Sequence, residues 1–528
     1  MPHFNTYMIT IGILLVFGTT IFHASMTPDS EIEFLDENNW YTPDLEWTKS
    51  YQGDDYDVLV SIHQNHFDGY DFFINSRQDD KENVYMVRTD EFGEVEWKKS
   101  LLDQIIESKK IEDVYPTKDN GYILAGEAIR PDTFEDVAML IKLNDDGKVD
   151  WYKVFDENPS DSYMFSSMET NEGAFIAIGA VSHYENDHHF FACSLKKLDE
   201  NGSVIWSKVY EKRPYHYLGW KVVPSNNDGF FLITDQSGED FHRTSYLVKT
   251  DSDGDFLSQK ELIKDSYFEM RPSLQKSNDG DYYFLGTSYD LDNRSLIANL
   301  VKFNDNGIIL KSKIIASYWS TPQRIISSFI QTPDKGFVLT GAEDDKVFLL
   351  KLNSLFEEQW SCSYNDAFAG SDLIRLRNGG YAILSQAYID DEYAVMLLKT
   401  FNSLQNPIQS FEGEQNGKSG KTYEYLLSAR DSDGDNITYT IDWGDGIIEE
   451  YGPYISGEQV FVNHSWEESG DYLVKVKVND IYGQESAWTS FPLKMPKYKG
   501  FDQILSNILH FLFNKNYFLN SLLNQIFL

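Results

Sequence analysis

The feature that most constrains the fold is an internal repeat of about fifty residues. Its copies share a polar turn followed by an apolar strand, and the marker glycines of these turns are Gly69, Gly121, Gly173, Gly229, Gly280, Gly336 and Gly380. A second apolar strand then ends in a basic residue, at Arg88, Lys142, Lys197, Lys249, Lys302, Lys351 and Lys399. In five copies another glycine-bearing turn and a third strand come next, as in "NGSVIWSKV". Glycine, asparagine and aspartate supply the positive φ of tight hairpins, so the repeat predicts antiparallel sheet.

Repeats of this length with four short strands each are typical of β-propeller blades. The seventh copy stops after "LLKTFNSLQNP" without its last strand, and "LEWTKSY" at Leu45–Tyr51 matches the last strand of the other copies. We therefore predict that this N-terminal strand closes the seventh blade, which removes the open edges of a half-built blade.

The pentapeptide "DSDGD" occurs twice, at Asp251–Asp255 and at Asp431–Asp435. The first copy aligns with "DENGS" (Asp199–Ser203) and "NDNGI" (Asn304–Ile308) of other repeats, so it is predicted to be a hairpin turn. The second copy lies beyond the repeats, and we expect the two to be alike in letters only.

The run "KLDENGSVIW" (Lys197–Trp206) resembles the blade repeat of quinoprotein-like propellers, and the repeats as a set resemble quinoprotein-like and kelch-like blades. The resemblance implies a strand tryptophan that docks blade against blade, at Trp47, Trp97, Trp151, Trp206 and Trp360. Two copies depart from it, with Leu257 and Leu310 at that position. Because these residues are structural, the resemblance implies a fold and not an activity. Quinone-dependent enzymes of this kind carry adjacent cysteines, and the two cysteines here are far apart.

A different module follows from about residue 406. Apolar residues alternate in "ITYTIDW" and "YLVKVKV", which is typical of half-buried strands and predicts a small β-sandwich. "WGDG" (Trp443–Gly446) and "HSWEESGDYLVKVKVND" (His464–Asp480) resemble the polycystic-kidney-disease (PKD) domain, an immunoglobulin-like module. The match departs at Trp466, where tyrosine is usual. The resemblance implies a spacer or binding role on an extracellular protein.

The second "DSDGD" is a candidate metal site. It is not an EF-hand, because Asn436 stands at position six and Asp442 at position twelve. Two interpretations remain open, a solvated turn or a calcium ion, which is the only cofactor predicted. The calcium ligands would be Asp431, Asp433 and Asp435 with Asp442 or Asp445.

The two ends of the chain differ from the repeats. The apolar run Met8–Phe22 has the length of a signal-peptide core, with an uncleaved anchor or a buried strand as alternatives. The last residues form two short amphipathic patterns, which predict helices that contact a membrane surface or pack on the sandwich. The predicted division is a signal peptide or anchor at 1–25, a linker at 26–40, a propeller at 41–403 closed by strand 45–51, a PKD-like sandwich at 404–497 and a helical tail at 498–528.

The predicted fold class is therefore all-β: a seven-bladed β-propeller, an immunoglobulin-like β-sandwich and an amphipathic helical tail. A net charge of −39 argues against nucleic acid as a partner, because a phosphate backbone requires a basic face. No serine-hydrolase elbow or zinc-helix motif is present in the sequence.

We predict a secreted or cell-surface, non-catalytic binding or adhesion protein, monomeric, whose partner is a cell-envelope protein or polysaccharide. The alternative is an extracellular glycan-active hydrolase or lyase with acidic residues at the mouth of the propeller. Two loops each allow two interpretations. "SHYENDHHF", with His183, His188 and His189, is either a metal site or an exposed loop tip, and "RPYHYLGW" (Arg213–Trp220) is either a sugar-stacking face or ordinary packing.

Overall fold

A computed structural model gives the architecture of the chain. It describes His510 and residues 42–495 apart from gaps at 53–56, 79–80, 102–107, 131–134, 156–160, 186–187, 239–242, 267–271, 278, 291–294, 318–323, 390–391, 402–403 and 405–407. The predicted signal peptide or anchor, the linker and, except for His510, the tail lie outside the described residues. In the described part of the chain no helix has the length and apolar character needed to cross a membrane.

The first half of the repeat region contains sixteen strands after an N-terminal one. They are β1 (Leu45–Gln52), β2 (Val58–Gln64), β3 (Tyr70–Gln78), β4 (Lys81–Thr89), β5 (Val95–Ser100), β6 (Ser108–Pro116), β7 (Tyr122–Ile129), β8 (Asp136–Leu143), β9 (Val149–Val154), β10 (Ser162–Glu169), β11 (Phe175–Glu185), β12 (His188–Leu198), β13 (Val204–Tyr210), β14 (His216–Pro224), β15 (Phe230–Ser237), β16 (Arg243–Thr250) and β17 (Phe256–Lys264).

The second half contains eleven strands. They are β18 (Ser273–Lys276), β19 (Tyr282–Asp290), β20 (Ser295–Phe303), β21 (Ile309–Ser317), β22 (Arg324–Gln331), β23 (Phe337–Glu343), β24 (Lys346–Leu352), β25 (Glu358–Tyr364), β26 (Ala369–Arg375), β27 (Tyr381–Ile389) and β28 (Glu392–Thr400).

These strands form antiparallel four-stranded sheets in a propeller-like repeat. Sheets 1 to 6 take four consecutive strands each, from β2–β5 to β22–β25, and sheet 7 has the order β1-β28-β27-β26. The N-terminal strand thus completes the last sheet, with Trp47 opposite Lys399. The middle strands are buried almost throughout, as in β7 and β8. Because successive side chains point to opposite faces, these runs place apolar groups on both faces, as expected for sheets covered on both sides.

Apolar clusters join each sheet to the next. One cluster combines Phe73 of sheet 1 with Leu124 of sheet 2, and another combines Ile62 of sheet 1 with Leu397 of sheet 7. Five further clusters join sheet 2 to sheet 3, sheet 3 to sheet 4, and so on up to sheets 6 and 7. The hydrophobic core is therefore distributed between sheets and not gathered at one centre.

The C-terminal module is a sandwich of two sheets, with the orders β29-β30-β33 and β32-β31-β34-β35. The strands are β29 (Ile408–Gly413), β30 (Thr422–Ala429), β31 (Ile437–Asp442), β32 (Ile448–Tyr454), β33 (Gln459–Ser465), β34 (Gly470–Asp480) and β35 (Thr489–Met495). Trp443 and Trp466 are fully buried between the sheets, and the Trp466 indole N–H donates to the Trp443 carbonyl at 3.1 Å.

Candidate functional site

The repeat tryptophans lie where one sheet meets the next. A Cβ on Gly202 would lie 2.8 Å from the Trp151 ring, and the Trp151 indole N–H donates to the Glu200 carbonyl at 3.1 Å. Both partners belong to the turn between the third and fourth strands of the following sheet. Trp47, Trp97 and Trp206 contact the turn glycines Gly93, Gly147 and Gly254 in the same way.

Trp360 of sheet 6 has a different partner. The turn that it would meet is missing, because β28 and β1 of sheet 7 come from opposite ends of the repeat region and no hairpin joins them. The Trp360 indole N–H donates instead to the Ser432 carbonyl at 3.1 Å. Ser432 is the second residue of the second "DSDGD", as Glu200 is the second residue of its turn.

The two "DSDGD" copies share one backbone conformation, so the expectation that they are alike in letters only is wrong. In the first copy Asp251 Oδ1 accepts from the Asp253 and Asp255 N–H groups at 3.0 and 2.8 Å. In the second, Asp431 Oδ1 accepts from the N–H groups two and four residues on, at 2.8 and 3.1 Å. An aspartate at the start of a turn makes these local bonds in either place, because they depend only on nearby backbone.

The surroundings of the two copies differ. Asp253 and Asp255 are exposed, whereas Asp431, Asp433 and Asp435 are 3%, 0% and 0% exposed. The second turn is buried because it lies between the sandwich and sheets 6 and 7. There Arg375 pairs with Asp435, and the Tyr381 hydroxyl donates to the Asp433 carbonyl at 3.3 Å.

Asp480, at the end of β34, completes an acidic cluster that sequence reasoning missed. One carboxylate oxygen each of Asp431, Asp435 and Asp480 lies within 4.8 Å of the others, and Asp480 is 4% exposed. Burial, and then the charges of Asp433 and Asp435, raise the pKa of Asp431 well above its usual range. Burial also raises the pKa of Asp435 to about 6 against the opposing effect of Arg375.

The structure places the other two predicted ligands elsewhere. The Asp442 carboxylate accepts from the Gly444 N–H at 3.0 Å, and the Asp445 carboxylate lies 2.8 Å from His464 Nε2. Asp442 ends β31 and Asp445 lies in the turn after it, and neither is part of the acidic cluster. Asp433 is buried in the same turn as Asp431 and Asp435 but is not one of the three clustered donors. Within the described residues, that cluster is the one group of three or more donors placed closely enough to hold an ion.

A second group of polar residues lies on the first strand of each sheet. These first strands contact one another in most pairs of neighbouring sheets, and they are called inner strands here. Six inner strands carry a bulge, as between Leu59 and Ser61 in β2. Each inner strand also has a polar residue at one shared position, eight residues before the residue whose carbonyl closes the following turn. These residues are Ser61, Asp113, Ser166, Lys221, Ser273, Ser328 and Asp372.

Two of these polar residues are carboxylates, and their neighbours occupy both oxygens of each. Lys221 and Ser166 donate to the two Asp113 oxygens at 2.8 and 2.7 Å. The Ile62 N–H and the Ser328 hydroxyl donate to those of Asp372 at 3.0 and 2.8 Å. Burial nevertheless raises the pKa of Asp372, which these donors oppose. Each of the two carboxylates is thus tied through both of its oxygens to neighbouring groups of the protein.

Aromatic rings of sheets 3 and 4 form a third group, called the aromatic face: Tyr163, Phe165, Phe191, His216 and Trp220. All five are half-buried. The Phe165 and Trp220 rings stack at 4.5 Å between centroids, and Phe191 lies 5.7 Å from Tyr163 and 5.8 Å from His216. Phe165 and Trp220 are the bulge residues of their inner strands, and Trp220 also packs against the apolar cluster between sheets 4 and 5.

A pocket of about 80 Å³ adjoins this face at Tyr163 and is also lined by His183, Ser194 and Lys196. The Ser194 hydroxyl and His183 Nε2 are buried without a hydrogen-bond partner among the described residues. Of the histidine loop, the structure describes His183 and His189, whereas the side chains of Glu185 and His188 and all of Asp187 lie outside the described residues.

The comparisons with known proteins address the sandwich first. Residues 413–492 match the family model of the PKD domain. This segment is a PKD domain. It is 45% identical to the "PKD domain of M14-like peptidase from Thermoplasmatales archaeon SCGC AB-540-F20", with 17% of this chain and 98% of that chain covered and a TM-score of 0.17. PKD domains are typical of extracellular or surface proteins.

The chain is also similar to other solved structures at low identity. A xylan β-1,4-xylosidase from Bacillus halodurans C-125 is 8% identical over 74% of this chain and 90% of its own, with a TM-score of 0.28. An endo-arabinase from Bacteroides thetaiotaomicron VPI-5482 is 11% identical over 46% and 94%, with a TM-score of 0.27. At these scores the likeness assigns no function. No curated protein matches the chain.

Proposed function

We propose that the chain is a secreted or cell-surface, non-catalytic binding protein. Its seven sheets are the blades of one closed β-propeller, and its PKD domain is fixed to blades 6 and 7. Three observations support the closed ring: seven four-stranded sheets, an apolar cluster between each sheet and the next, and the pairing of β1 with β28.

The ligand face of this propeller is the aromatic face, and its ligand is a neutral polysaccharide. Half-exposed rings pack against the apolar C–H faces of sugars while nearby polar groups bond the hydroxyls. The pocket beside Tyr163 supplies such groups, with the buried Ser194 hydroxyl and the Lys196 ammonium in its lining. The net charge of −39 disfavours a polyanionic ligand, since like charges repel at long range.

The observation that favours a binding protein over an enzyme is that the inner-strand carboxylates already have hydrogen-bond or ion-pair partners within the protein. A glycoside hydrolase needs two carboxyl groups free to exchange protons across a bound sugar. Asp113 is instead ion-paired to Lys221, and both oxygens of Asp372 accept hydrogen bonds from the protein.

The test is binding of the purified full chain to cellulose, starch, mannan and chitin, with Trp220→Ala as the variant and Trp488→Ala as the matched control. Trp488 is 45% exposed on the PKD domain, away from the sheets of the aromatic face. We expect about a fivefold or greater loss of affinity for Trp220→Ala and no change for the control, because one stacked ring contributes about 1 kcal/mol or more.

Two results would overturn this proposal. Equal loss of binding in both variants would place the site elsewhere. Release of new reducing ends from any of the four polysaccharides, abolished by Asp113→Asn or Asp372→Asn, would establish the hydrolase alternative.

A further inference from the structure

The acidic cluster at the second "DSDGD" does not belong to the ligand face proposed above, and its chemistry is independent of that proposal. It contains the carboxylates of Asp431, Asp435 and Asp480, and Asp433 is buried in the same turn; each of the four is at most 4% exposed. Two nearby cations already have partners: Arg375 is paired with Asp435, and Lys351 is paired with Asp334 at 2.8 Å. Buried charges are costly unless they are paired or bind a metal ion.

The cluster is more than a set of acidic residues, because two of its carboxylate oxygens are buried without a hydrogen-bond donor among the described residues. The Oδ2 atoms of Asp431 and Asp435 are buried and have no hydrogen-bond partner among the described residues. Each side chain uses its other oxygen, Asp431 for the turn and Asp435 for Arg375. Two buried, unsatisfied carboxylate oxygens within reach of a third carboxylate are what a cation site requires.

The donor set selects the ion. All the available ligand atoms are carboxylate or backbone oxygens, which are the ligands of hard divalent cations. Calcium accepts irregular geometry and six to eight oxygens, whereas magnesium demands near-ideal octahedral geometry and keeps several waters. A site made from one turn and the end of a strand is irregular, so calcium is the better match.

The position of the cluster gives the ion a structural consequence. The second "DSDGD" occupies the place that a hairpin turn occupies in the other sheets: it packs on the tryptophan of the preceding sheet through the same indole-to-carbonyl bond. Sheet 7 lacks such a turn of its own. The PKD domain therefore supplies, from outside the repeats, the turn that completes the contact between sheets 6 and 7.

We propose that calcium binds between Asp431, Asp435 and Asp480 and fixes this turn in place, so that the PKD domain closes the last blade in a calcium-dependent manner. In this role the domain stabilises the propeller in addition to any spacer or binding function. Calcium bound only by the folded state stabilises it by mass action: at a free concentration 100 times the dissociation constant, the folding equilibrium shifts about 100-fold.

The first experiment measures the ion directly on the full chain. Terbium replaces calcium, and its luminescence is excited through Trp360 and Tyr381, which contact the turn. We expect one site per chain that calcium displaces and that magnesium displaces far less effectively. Asp480→Asn abolishes the signal, whereas the matched control Asp251→Asn, in the first "DSDGD", leaves it unchanged.

The second experiment measures the coupling by hydrogen exchange of the wild-type chain with calcium or with a chelator, so no variant needs to fold. We expect chelation to raise exchange in β1 and β28 by at least tenfold and to leave β6–β9 of sheet 2 unchanged. Terbium binding that survives Asp480→Asn, or no stoichiometric binding, would overturn the site. Binding without any change in β1 and β28 would overturn the closing role and leave calcium as a property of the PKD domain alone.

Discussion

Asp235 allows a test of how a buried carboxyl group changes the stability of this protein with pH. The side chain lies on β15 of sheet 4 and is 1% exposed. Ser266 donates to Asp235 Oδ1 at 3.1 Å, and Oδ2 has no hydrogen-bond partner among the described residues. Burial raises the pKa to about 7, although Arg243, Ser266 and a backbone N–H act in the opposite direction.

The direction of the effect follows from linkage. The folded protein holds the Asp235 proton up to about pH 7, whereas the unfolded chain releases it near pH 3.8. The unfolded state therefore binds fewer protons between these values, and stability falls as the pH rises. Each tenfold change in affinity corresponds to about 1.4 kcal/mol, so the loss between pH 4 and pH 8 is about 4 kcal/mol.

Asp235→Asn removes the charge and keeps an oxygen that accepts from Ser266. We expect the variant to be more stable than the wild type at pH 8, by about 2 to 4 kcal/mol, and to differ little at pH 4.5. The measurement is urea-induced unfolding at both pH values in saturating calcium, with the exposed Asp253→Asn as the control. A variant that is less stable at pH 8, or a pH dependence equal to that of the wild type, would refute the reasoning.

Two further predictions concern packing between and within sheets. Gly202→Ala places a Cβ 2.8 Å from Trp151 at φ +78°, whereas Gly483→Ala, at φ +86°, meets nothing within 4 Å. We expect the free energy of unfolding, measured by thermal unfolding, to fall by about 3 kcal/mol in the first variant and about 1 kcal/mol in the second. Equal losses would mean that the tryptophan contact contributes nothing. Arg88→Met leaves the fully buried Asp71 without the two hydrogen bonds from Arg88, at 2.6 and 2.7 Å, and should cost about 3 to 5 kcal/mol. Adding Asp71→Leu should restore only part of the stability, because the buried Tyr122 hydroxyl then loses its acceptor. A double variant as unstable as the single one would show that shape, and not charge, holds this position.

The repeat made much of the fold predictable, because its signals are local. A glycine with positive φ, such as Gly202 at 78°, has to be a turn, and the alternating strands on either side have to pair across it. The final strand of sheet 7 could be found at the N-terminus for the same reason: Trp47 and its neighbours repeat the letters of the other last strands. The matching of those letters needs no knowledge of the third dimension.

The inner-strand polar residues had a signal of the same kind that was overlooked. A serine, aspartate or lysine stands eight residues before the end of each turn, among other polar residues of the same strands. A single such residue resembles chance, and only the alignment of all seven copies marks the position. Even then the alignment does not reveal that Lys221 of sheet 4 reaches Asp113 of sheet 2.

The acidic cluster shows where local reasoning ends. Asp442 is seven residues from Asp435 and looked like a ligand, but it points into a different turn, whereas Asp480 is 45 residues away and joins the cluster because β34 pairs with β31. Sequence distance predicts contact only when one turn or one helix spans it. A sheet brings remote residues together through its pairing register, which no short motif contains.

The two "DSDGD" copies make the same argument for burial. Their five letters specify one turn, and the turn forms in both places with the same internal hydrogen bonds. In the first copy Asp253 and Asp255 are exposed to water, and Asp255 forms a surface ion pair with Lys208 at 2.6 Å. In the second copy the contact with Trp360 and sheet 7 excludes water, and the same carboxylates then require a counter-charge. A motif thus acquires its chemistry from what covers it, and the cover here is a sheet assembled from both ends of the repeat region.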